Sequence, residues 1–292
     1  MVEEQKNYFV VDTAEGSFLT TTSGSLKKQR KKPCTGDLVD LTIIDTDTRR
    51  GVITTIRKRT TYIKRPALAN CSLLLCLSTF KEPPLNLETL DRLLVYALLH
   101  ELQPCVVFNK ADILSDDERD ELERVADVYR HAGHPVVTTS AFSREGLDAL
   151  LDLCSGRLAA FAGPSGVGKS TLLSTIFPDI DFRIGNLSCC ATRGTHTTTN
   201  VTLHPLGNKG YIADTPGLAW IDLPAVPEEN IVFCFDEIAR NTGKCRFNNC
   251  IHDNEPGCAV DEEVKKGIIA PWRHAHYLKF RNEMIGKRKQ YR

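Results

Sequence analysis

The sequence predicts a multidomain chain with an N-terminal OB-type β-barrel, a central α/β domain and a C-terminal helical, metal-binding module. Short β-rich runs separated by glycine and proline fill residues 1–65, and strands alternate with helices over residues 66–225. Cysteines at the spacing of metal ligands lie within residues 226–292. These three observations place the domain boundaries near residues 65 and 225.

Composition and charge exclude several classes of protein. With 292 residues, 41% hydrophobic and 25% charged, the chain can bury one or more cores, which excludes a disordered tail. Basic and acidic residues both total 37, which argues against a globally basic nucleic-acid binder. Basic residues nevertheless outnumber acidic ones by 13 to 8 over residues 1–65 and by 7 to 1 over residues 271–292, against 17 to 28 between them. We therefore expect nucleic-acid contacts at the two ends.

The sequence shows neither a membrane span nor a signal peptide. Its apolar runs are far shorter than the roughly 20 residues that a spanning helix needs, and Met1 is followed by acidic residues. Eleven cysteines, an odd number in a long chain, favour a reducing cytosol over a disulfide framework. We expect a cytoplasmic monomer with no membrane contact.

The N-terminal part has predicted strands over residues 8–11, 17–22, 37–44 and 51–57. Its basic residues lie between these strands and at the exit of the module. They suit either solvated loops or the loops of an oligonucleotide-binding barrel. These residues are Lys27, Lys28, Arg30, Lys31, Lys32, Arg57, Lys58, Arg59, Lys64 and Arg65.

The central part alternates strands and helices, which predicts a mostly parallel sheet covered on both faces. The predicted strands cover residues 73–77, 105–108, 135–139 and 158–162. The predicted helices cover residues 87–102, 115–132, 144–153 and 171–176.

A phosphate-binding loop follows the last of these strands. Residues 163–170 read G-P-S-G-V-G-K-S and match the pattern G-x-x-x-x-G-K-[ST] between a strand and a helix. Its backbone N–H groups can wrap phosphate oxygens, Lys169 supplies a charge to the β- and γ-phosphates, and Ser170 offers a hydroxyl to Mg²⁺. The predicted nucleotide-binding residues here are Gly163, Pro164, Ser165, Gly166, Val167, Gly168, Lys169, Ser170 and Thr171.

A second motif, D-T-P-G at residues 214–217, follows a strand that starts at residue 211. The Asp214 carboxylate can bind Mg²⁺, and the Gly217 N–H can donate to the γ-phosphate. Such a turn alone is more often structural. Combined with Lys169 and Ser170, it predicts a switch.

The choice of base is predicted from N-K-A-D at residues 109–112, directly after a strand. Asp112 can accept from both N1–H and the exocyclic amine of guanine, a donor pair that adenine lacks. Asn109 braces the loop, the stem of Lys110 covers the ring, and Ala111 lies between Lys110 and Asp112. Ser140 and Ala141 follow the next strand and place a backbone N–H near guanine O6. The motif favours GTP and GDP and opposes a P-loop ATPase or kinase.

The order of the motifs predicts a circularly permuted α/β P-loop GTPase. The guanine-reading residues precede the phosphate loop, which precedes Asp214, whereas ordinary GTPases place the phosphate loop first. Joining the ends of a domain and opening another loop preserves its core contacts.

Four potential ligands lie within a short segment of the C-terminal part. Cys245, Cys250, His252 and Cys258 offer three thiolates and one imidazole, a closed tetrahedral set suited to one structural Zn²⁺. The metal would substitute for an apolar core in this segment. The alternative is unrelated free thiols beside a surface histidine.

On these motifs and their order the sequence resembles the RsgA (YjeQ) family of circularly permuted GTPases. The resemblance also includes T-R-G-T-H-T-T-T at residues 192–199, F-D-E-I at residues 235–238 and E-P-G-C-A-V at residues 255–260. It implies an RNA-binding barrel, GTP hydrolysis stimulated by the 30S small ribosomal subunit, contact with 16S rRNA and a role in late subunit maturation. An RNA-binding scaffold whose pocket only senses nucleotide is the alternative.

The resemblance also implies the catalytic residue. Leu218 stands where many GTPases have the glutamine that orients water, and leucine cannot do so. His196 is the candidate water-orienting group, and one of Thr197, Thr198 and Thr199 is expected to bind Mg²⁺. Two departures from the family pattern are visible, Thr195 in place of arginine and Cys71-Ser72 in place of an acidic residue.

The basic, aromatic tail allows two interpretations. Trp272, Tyr277 and Phe280 alternate with cations, which suits stacking on RNA bases. The same residues also fit one apolar face of a helix that packs inward.

Overall fold

The structure is a computed structural model that describes residues 1–5, 8–28, 32–180, 182, 201–207, 210–215 and 222–290. Its strands are β1 (Glu3–Gln5), β2 (Tyr8–Thr13), β3 (Gly16–Thr22), β4 (Val39–Asp45), β5 (Arg50–Ile56), β6 (Tyr62–Lys64), β7 (Ala67–Ala69), β8 (Leu73–Thr79), β9 (Gln103–Asn109), β10 (Val136–Thr138), β11 (Arg157–Ala162), β12 (Thr202–Pro205) and β13 (Gly210–Asp214). Its helices are α1 (Gly24–Lys28), α2 (Leu87–Leu99), α3 (Asp116–His131), α4 (Leu147–Cys154), α5 (Lys169–Ile176), α6 (Asp236–Ala239), α7 (Ala259–Lys265) and α8 (Pro271–Gln290), with 3₁₀ segments at Ala111–Ile113 and Glu228–Cys234.

The central sheet has the predicted parallel core. Strands β10, β9, β8, β11 and β13 are neighbours in that order, and each adjacent pair is parallel. All seven residues of β8 are buried, as expected for a strand covered on both faces. Helices α2 and α3 and the C-terminal helices cover one face, and α4 and α5 cover the other.

The N-terminal strands continue this sheet. They run in the order β1-β2-β3-β5-β4, with β3 parallel to β5 and α1 between β3 and β4. The sequence predicts a β-barrel for residues 1–65, and in the structure β1 pairs with β2 on one side and with β12 of the central domain on the other. Three residues of β1 are too few for a periodic pattern, so this junction has no signal in the sequence. Met1, Phe9, Val11, Leu26 and Ile53 form the small core of the module.

Two helices of the central domain begin at capping residues. Ser115 accepts from the Glu118 N–H and the Glu118 carboxylate accepts from the Ser115 N–H, a capping box at the start of α3. Asn86 caps α2 by accepting from the Thr89 N–H at 2.9 Å. These caps fix the helices that follow β8 and β9.

The C-terminal helix α8 packs inward against α2. Tyr277 and Phe280 are buried beside Met284, as the inward-packing interpretation of the tail requires, whereas Trp272 is half-buried. Besides Arg273, which pairs with Asp91 and Glu237, three of its cations pair with carboxylates elsewhere in the chain. These pairs are Lys279–Glu88 at 2.7 Å, Lys287–Asp222 at 2.5 Å and Arg288–Glu228 at 3.2 Å. Among the helices of the described residues, none is long and apolar enough to span a bilayer.

Candidate functional site

The nucleotide motifs meet at one edge of the sheet. Parallel strands β9, β10, β11 and β13 end there, and each is followed by one of the predicted motifs. The carboxyl edge of a parallel sheet is where ligands of α/β proteins bind. Two strand spacings, about 10 Å, separate β9 from β11, which is comparable to the span from a base to its phosphates.

The phosphate loop depends on two glycines. Gly163 has φ +152° and a Cβ there would lie 2.4 Å from the carbonyl oxygen of Leu77. Gly168 has φ +94° and a Cβ there would lie 2.3 Å from Nδ2 of Asn109. Both positions therefore require glycine, because a side chain would clash and the backbone conformation is left-handed.

Lys169 starts α5 directly behind this loop. Its ammonium donates to the carbonyl oxygens of Gly163 and Pro164, each at 2.7 Å, so the side chain folds back over the loop. Burial lowers the pKa of Lys169 to about 8. Phosphate oxygens beside the ammonium would favour its charged form. Ser170 and Thr171 follow in the first turn of α5.

The guanine motif touches the phosphate loop directly. Nδ2 of Asn109 donates to the carbonyl oxygen of Val167 at 2.9 Å, and Oδ1 of Asn109 accepts from the Thr139 hydroxyl at 3.2 Å. Lys110 has a left-handed φ of 65° and its Nζ donates to the Glu82 carbonyl oxygen at 2.8 Å. The two ends of the predicted site are thus joined through one buried amide.

The second predicted guanine-reading segment contacts Asp112. The Ser140 hydroxyl donates to Oδ1 of Asp112 at 2.5 Å and accepts from the N–H groups of Phe142 and Ser143. Ser140 is fully buried and Asp112 is exposed. The carboxylate is therefore fixed on its buried side by Ser140 and is accessible to a ligand from the solvent side. Ala141, the neighbour of Ser140, is half-buried.

Asp214 ends β13, beside β11 and the phosphate loop. Burial raises the pKa of the Asp214 carboxyl group, and His204 on β12 acts in the opposite direction. A cation beside a partly buried carboxylate stabilises its charged form. Asp214 and the Ser170 hydroxyl are therefore chemically suited to Mg²⁺.

The four predicted zinc ligands converge. Their ligand atoms all lie within 4.8 Å of one another. Nδ1 of His252 is 3.5 Å, 3.6 Å and 3.5 Å from the sulfurs of Cys245, Cys250 and Cys258, and the Cys245 and Cys258 sulfurs are 4.0 Å apart. A tetrahedral zinc ion with ordinary bond lengths places sulfur and nitrogen about 3.6 Å apart and two sulfurs about 3.8 Å apart. The donor set and its geometry fit structural zinc.

Surrounding residues hold this ligand set in place. The Glu255 carboxylate accepts from the N–H groups of Ile251 and Asp253 at 2.7 Å and 2.6 Å, on both sides of His252, whose φ is +64°. The Ala259 N–H donates to the Cys245 sulfur at 3.3 Å. Such outer contacts orient metal ligands.

Comparison with known proteins identifies the family. The sequence profile of the RsgA GTPase family matches residues 54–224. The chain belongs to the RsgA GTPase family. Among its relatives, the small ribosomal subunit biogenesis GTPase RsgA of Moorella thermoacetica is 41% identical over 82% of each chain. The RsgA of Shouchella clausii is 32% identical over 100% of this chain and 98% of its own.

Solved structures agree with this RsgA assignment. YjeQ from Thermotoga maritima is 31% identical, with a TM-score of 0.84 over 98% of this chain and 97% of its own. YloQ, described as a circularly permuted GTPase, is 26% identical, with a TM-score of 0.82 over 98% of this chain and 94% of its own. The predicted circular permutation is therefore confirmed. As an RsgA GTPase, the chain is a GTP hydrolase that acts on guanine nucleotide.

Part of the predicted RsgA site lies outside the described residues. This part consists of Thr195, His196, Thr197, Thr198, Thr199, Gly217 and Leu218. The structure in turn adds Thr139 and Arg119, which contact Asn109 and Ala111 and which no sequence pattern indicates. Both act through contacts with residues distant in sequence, and neither belongs to a short motif. Glu255 belongs to the quoted E-P-G-C segment, but its contact with the two N–H groups has no sequence signature.

Loss of the Asn109 amide is expected to weaken GDP binding 10- to 100-fold. Asn109→Ala leaves the Val167 carbonyl and the Thr139 hydroxyl without their buried partner, which costs about 1–3 kcal/mol. Fluorescent GDP titration measures the loss. Asn241→Ala serves as the control, since it removes an amide hydrogen bond to the Glu237 carbonyl oxygen in the C-terminal part, outside the nucleotide motifs. Equal GDP affinity in the two variants would contradict the joining role of Asn109.

Proposed function

We propose that this chain is a ribosome-dependent GTPase that acts in late maturation of the 30S small ribosomal subunit, hydrolysing GTP to GDP and phosphate and binding 16S rRNA. The observation that carries the proposal is the direct contact between a guanine motif and a phosphate loop, Asn109 to Val167, in a member of a family whose curated relatives are named small ribosomal subunit biogenesis GTPases. A role on the small subunit also places the chain in the cytoplasm, and we propose that it acts there as a monomer.

The nucleotide is proposed to lie along the sheet edge with its base at β9 and β10 and its phosphates at β11 and β13. Asp112 reads the two guanine donors, Lys110 covers the ring and Lys169 binds the β- and γ-phosphates. The remaining contacts come from the backbone and small side chains of both segments. These residues are Asn109, Ala111, Ser140, Ala141, Gly163, Pro164, Ser165, Gly166, Val167, Gly168, Ser170, Thr171, Asp214 and Gly217.

Hydrolysis needs a group that orients the attacking water. We assign this role to His196, since the leucine at position 218 has no hydrogen-bonding side chain. Ser170, Asp214 and one of Thr197, Thr198 and Thr199 would hold Mg²⁺, which when bound neutralises charge on the phosphates.

Residues 1–65 are proposed to be an OB-type RNA-binding domain. The strand order β1-β2-β3-β5-β4, with a parallel β3–β5 pair and a helix between β3 and β4, supports this assignment. The basic residues in its loops and at its C-terminal end supply positive charge for the phosphates of rRNA. Binding to 16S rRNA should therefore weaken steeply as the salt concentration rises. Residues 66–225 form the permuted GTPase domain.

Residues 226–292 are proposed to be a helical module with one structural Zn²⁺. Cys245, Cys250, His252 and Cys258 would hold the ion in a closed tetrahedral set, supported by the spacing of their ligand atoms. The ion supplies stability to the module and takes no part in hydrolysis.

A GTPase assay with and without purified 30S subunits tests the proposal. The wild type should hydrolyse GTP slowly alone and faster on the subunit. His196→Ala should lower the stimulated turnover by about 10²- to 10⁴-fold, the usual contribution of a general base, without weakening GDP binding. Turnover that does not respond to 30S subunits would overturn the ribosome-dependent function. GTP binding without hydrolysis on the subunit would favour the RNA-binding scaffold instead.

A further inference from the structure

The two guanine-reading segments lie in separate loops. Residues 109–112 begin at the last residue of β9, and residues 140–141 follow β10. Beyond the strands, two backbone bonds join these segments: the Thr139 N–H donates to the Phe108 carbonyl oxygen at 2.7 Å, and the Ala111 N–H donates to the Thr139 carbonyl oxygen at 3.0 Å. Their relative placement past that point depends on contacts within the loops.

Arg119, on the first turns of α3, contacts one of these segments. Its Nη2 donates to the carbonyl oxygen of Ala111 at 2.7 Å, one residue before Asp112. The α3 capping box formed by Ser115 and Glu118 fixes the helix end from which Arg119 extends. The guanidinium therefore holds the backbone that carries the base-reading carboxylate.

The same guanidinium reaches the other segment through Glu145. Nη1 of Arg119 donates to Oε1 of Glu145 at 3.0 Å, and Nη2 donates to Oε2 at 3.2 Å, a bidentate pair. The backbone carbonyl of Glu145 accepts from the Ser140 N–H at 3.0 Å. Gly146 follows with φ +69°, where a Cβ would lie 2.0 Å from the Thr138 carbonyl oxygen, so this turn is packed against β10.

These contacts form one closed chain of residues. It runs from Ala111 through Arg119 and Glu145 to Ser140, and the Ser140 hydroxyl returns to Asp112. Arg119 and Glu145 have exposed side-chain fractions of 39% and 41%, and pairs of such exposure add little to global stability. Their effect should thus fall on the geometry of the loops and leave folding almost unchanged.

We propose that Arg119, through Glu145, is a positioning residue for guanine specificity that holds the two base-reading segments in register. The inference rests on the proposed guanine site. Asp112 accepts from two donors of guanine, N1–H and the exocyclic amine. Hypoxanthine lacks the amine and so depends less on the placement of that carboxylate. Loss of Arg119 should therefore weaken GDP binding more than IDP binding.

The experiment compares Arg119→Met and Arg119→Lys with Arg130→Met in the full-length protein. Arg130 is the matched control because it lies on the same helix, has the same 39% exposure and pairs with Glu123 and Asp127. Affinities for GDP and IDP are measured by calorimetry, and stability is measured by thermal melting.

Arg119→Met is expected to weaken GDP binding roughly tenfold, the scale of a lost charge-assisted hydrogen bond, and IDP binding by no more than about threefold. Arg130→Met should change neither affinity. Lysine cannot reproduce the planar fork, so Arg119→Lys should resemble Arg119→Met. Melting temperatures of Arg119→Met and Arg130→Met should agree.

The proposal is overturned if Arg119→Met binds GDP as Arg130→Met does, or if GDP and IDP affinities fall by the same factor. A wild type that binds ADP as tightly as GDP would instead overturn the guanine site itself. These outcomes keep the failure of the positioning role separate from the failure of the proposed function.

Discussion

Replacing Arg273 with methionine is expected to lower the free energy of unfolding by about 3–5 kcal/mol. The Arg273 side chain is completely buried, and it pairs with Asp91 and Glu237, each at 2.6 Å. Asp91 is also completely buried. Removing the guanidinium takes away the permanently charged partner of this carboxylate and leaves it only the Tyr129 hydroxyl and the His276 ring in a region of low dielectric, which is the costly case for a buried ion pair.

The contacts around Arg273 join four helices. Asp91 on α2 also accepts from the Tyr129 hydroxyl of α3 at 2.9 Å and pairs with Nδ1 of His276 of α8 at 2.5 Å. Burial alone would lower the pKa of Arg273, but Asp91 and Glu237 raise it above its ordinary value, so the guanidinium stays charged. The pair therefore ties the C-terminal helix to the GTPase domain.

Denaturant titration measures the change, with Lys279→Met as the control. Lys279 lies on the same helix and pairs with Glu88, but its side chain is 55% exposed, so its loss should cost less than about 1 kcal/mol. A loss for Arg273→Met no larger than that of the control would contradict the role assigned to the buried network.

Cys258→Ser is expected to abolish tight zinc binding and to unfold the segment around the ligands. Structural zinc in small zinc-binding peptides contributes about 10–16 kcal/mol of apparent binding free energy at neutral pH, and that energy is folding energy. Residues 246–249 are all exposed, so this segment has little apolar core to replace the ion.

Metal analysis and thermal melting test the zinc prediction. The wild type should carry one zinc ion per chain and lose stability in a strong chelator. The control is Cys154→Ser, which alters a buried thiol of α4 far in sequence from the ligands and should keep one zinc ion per chain. Retention of zinc by Cys258→Ser would contradict the four-ligand assignment.

The parts of the fold that follow local patterns were predictable. Glycines at fixed offsets, the strand before residue 163 and the helix after it define the phosphate loop, and the carboxyl ends of parallel strands must share an edge. The meeting of Asn109 with Val167 follows from that rule. The short spacing of four potential ligands along the sequence also predicted that Cys245, Cys250, His252 and Cys258 converge.

Pairings between residues far apart along the chain could not be predicted from the sequence. Strand β1 joins β12 across about two hundred residues, and neither strand is long enough to show a period. In the sequence, Arg273 is one of several cations of a basic tail. Its burial depends on Asp91 and Glu237, which lie far away along the chain, so it could not be predicted. Arg119 and Glu145 likewise meet only after α3 and β10 have folded.

The central claim is that Asp112 reads the base of the same nucleotide whose phosphates lie in the 163–170 loop. Asp112→Asn tests it most directly, because the asparagine amide can donate to the second carbonyl oxygen that xanthine has in place of the guanine amine. We expect GTP turnover and GDP affinity to fall about 10- to 100-fold, the scale of a lost bidentate base contact, while XTP becomes the preferred substrate. A variant that still hydrolyses GTP in preference to XTP would contradict the account.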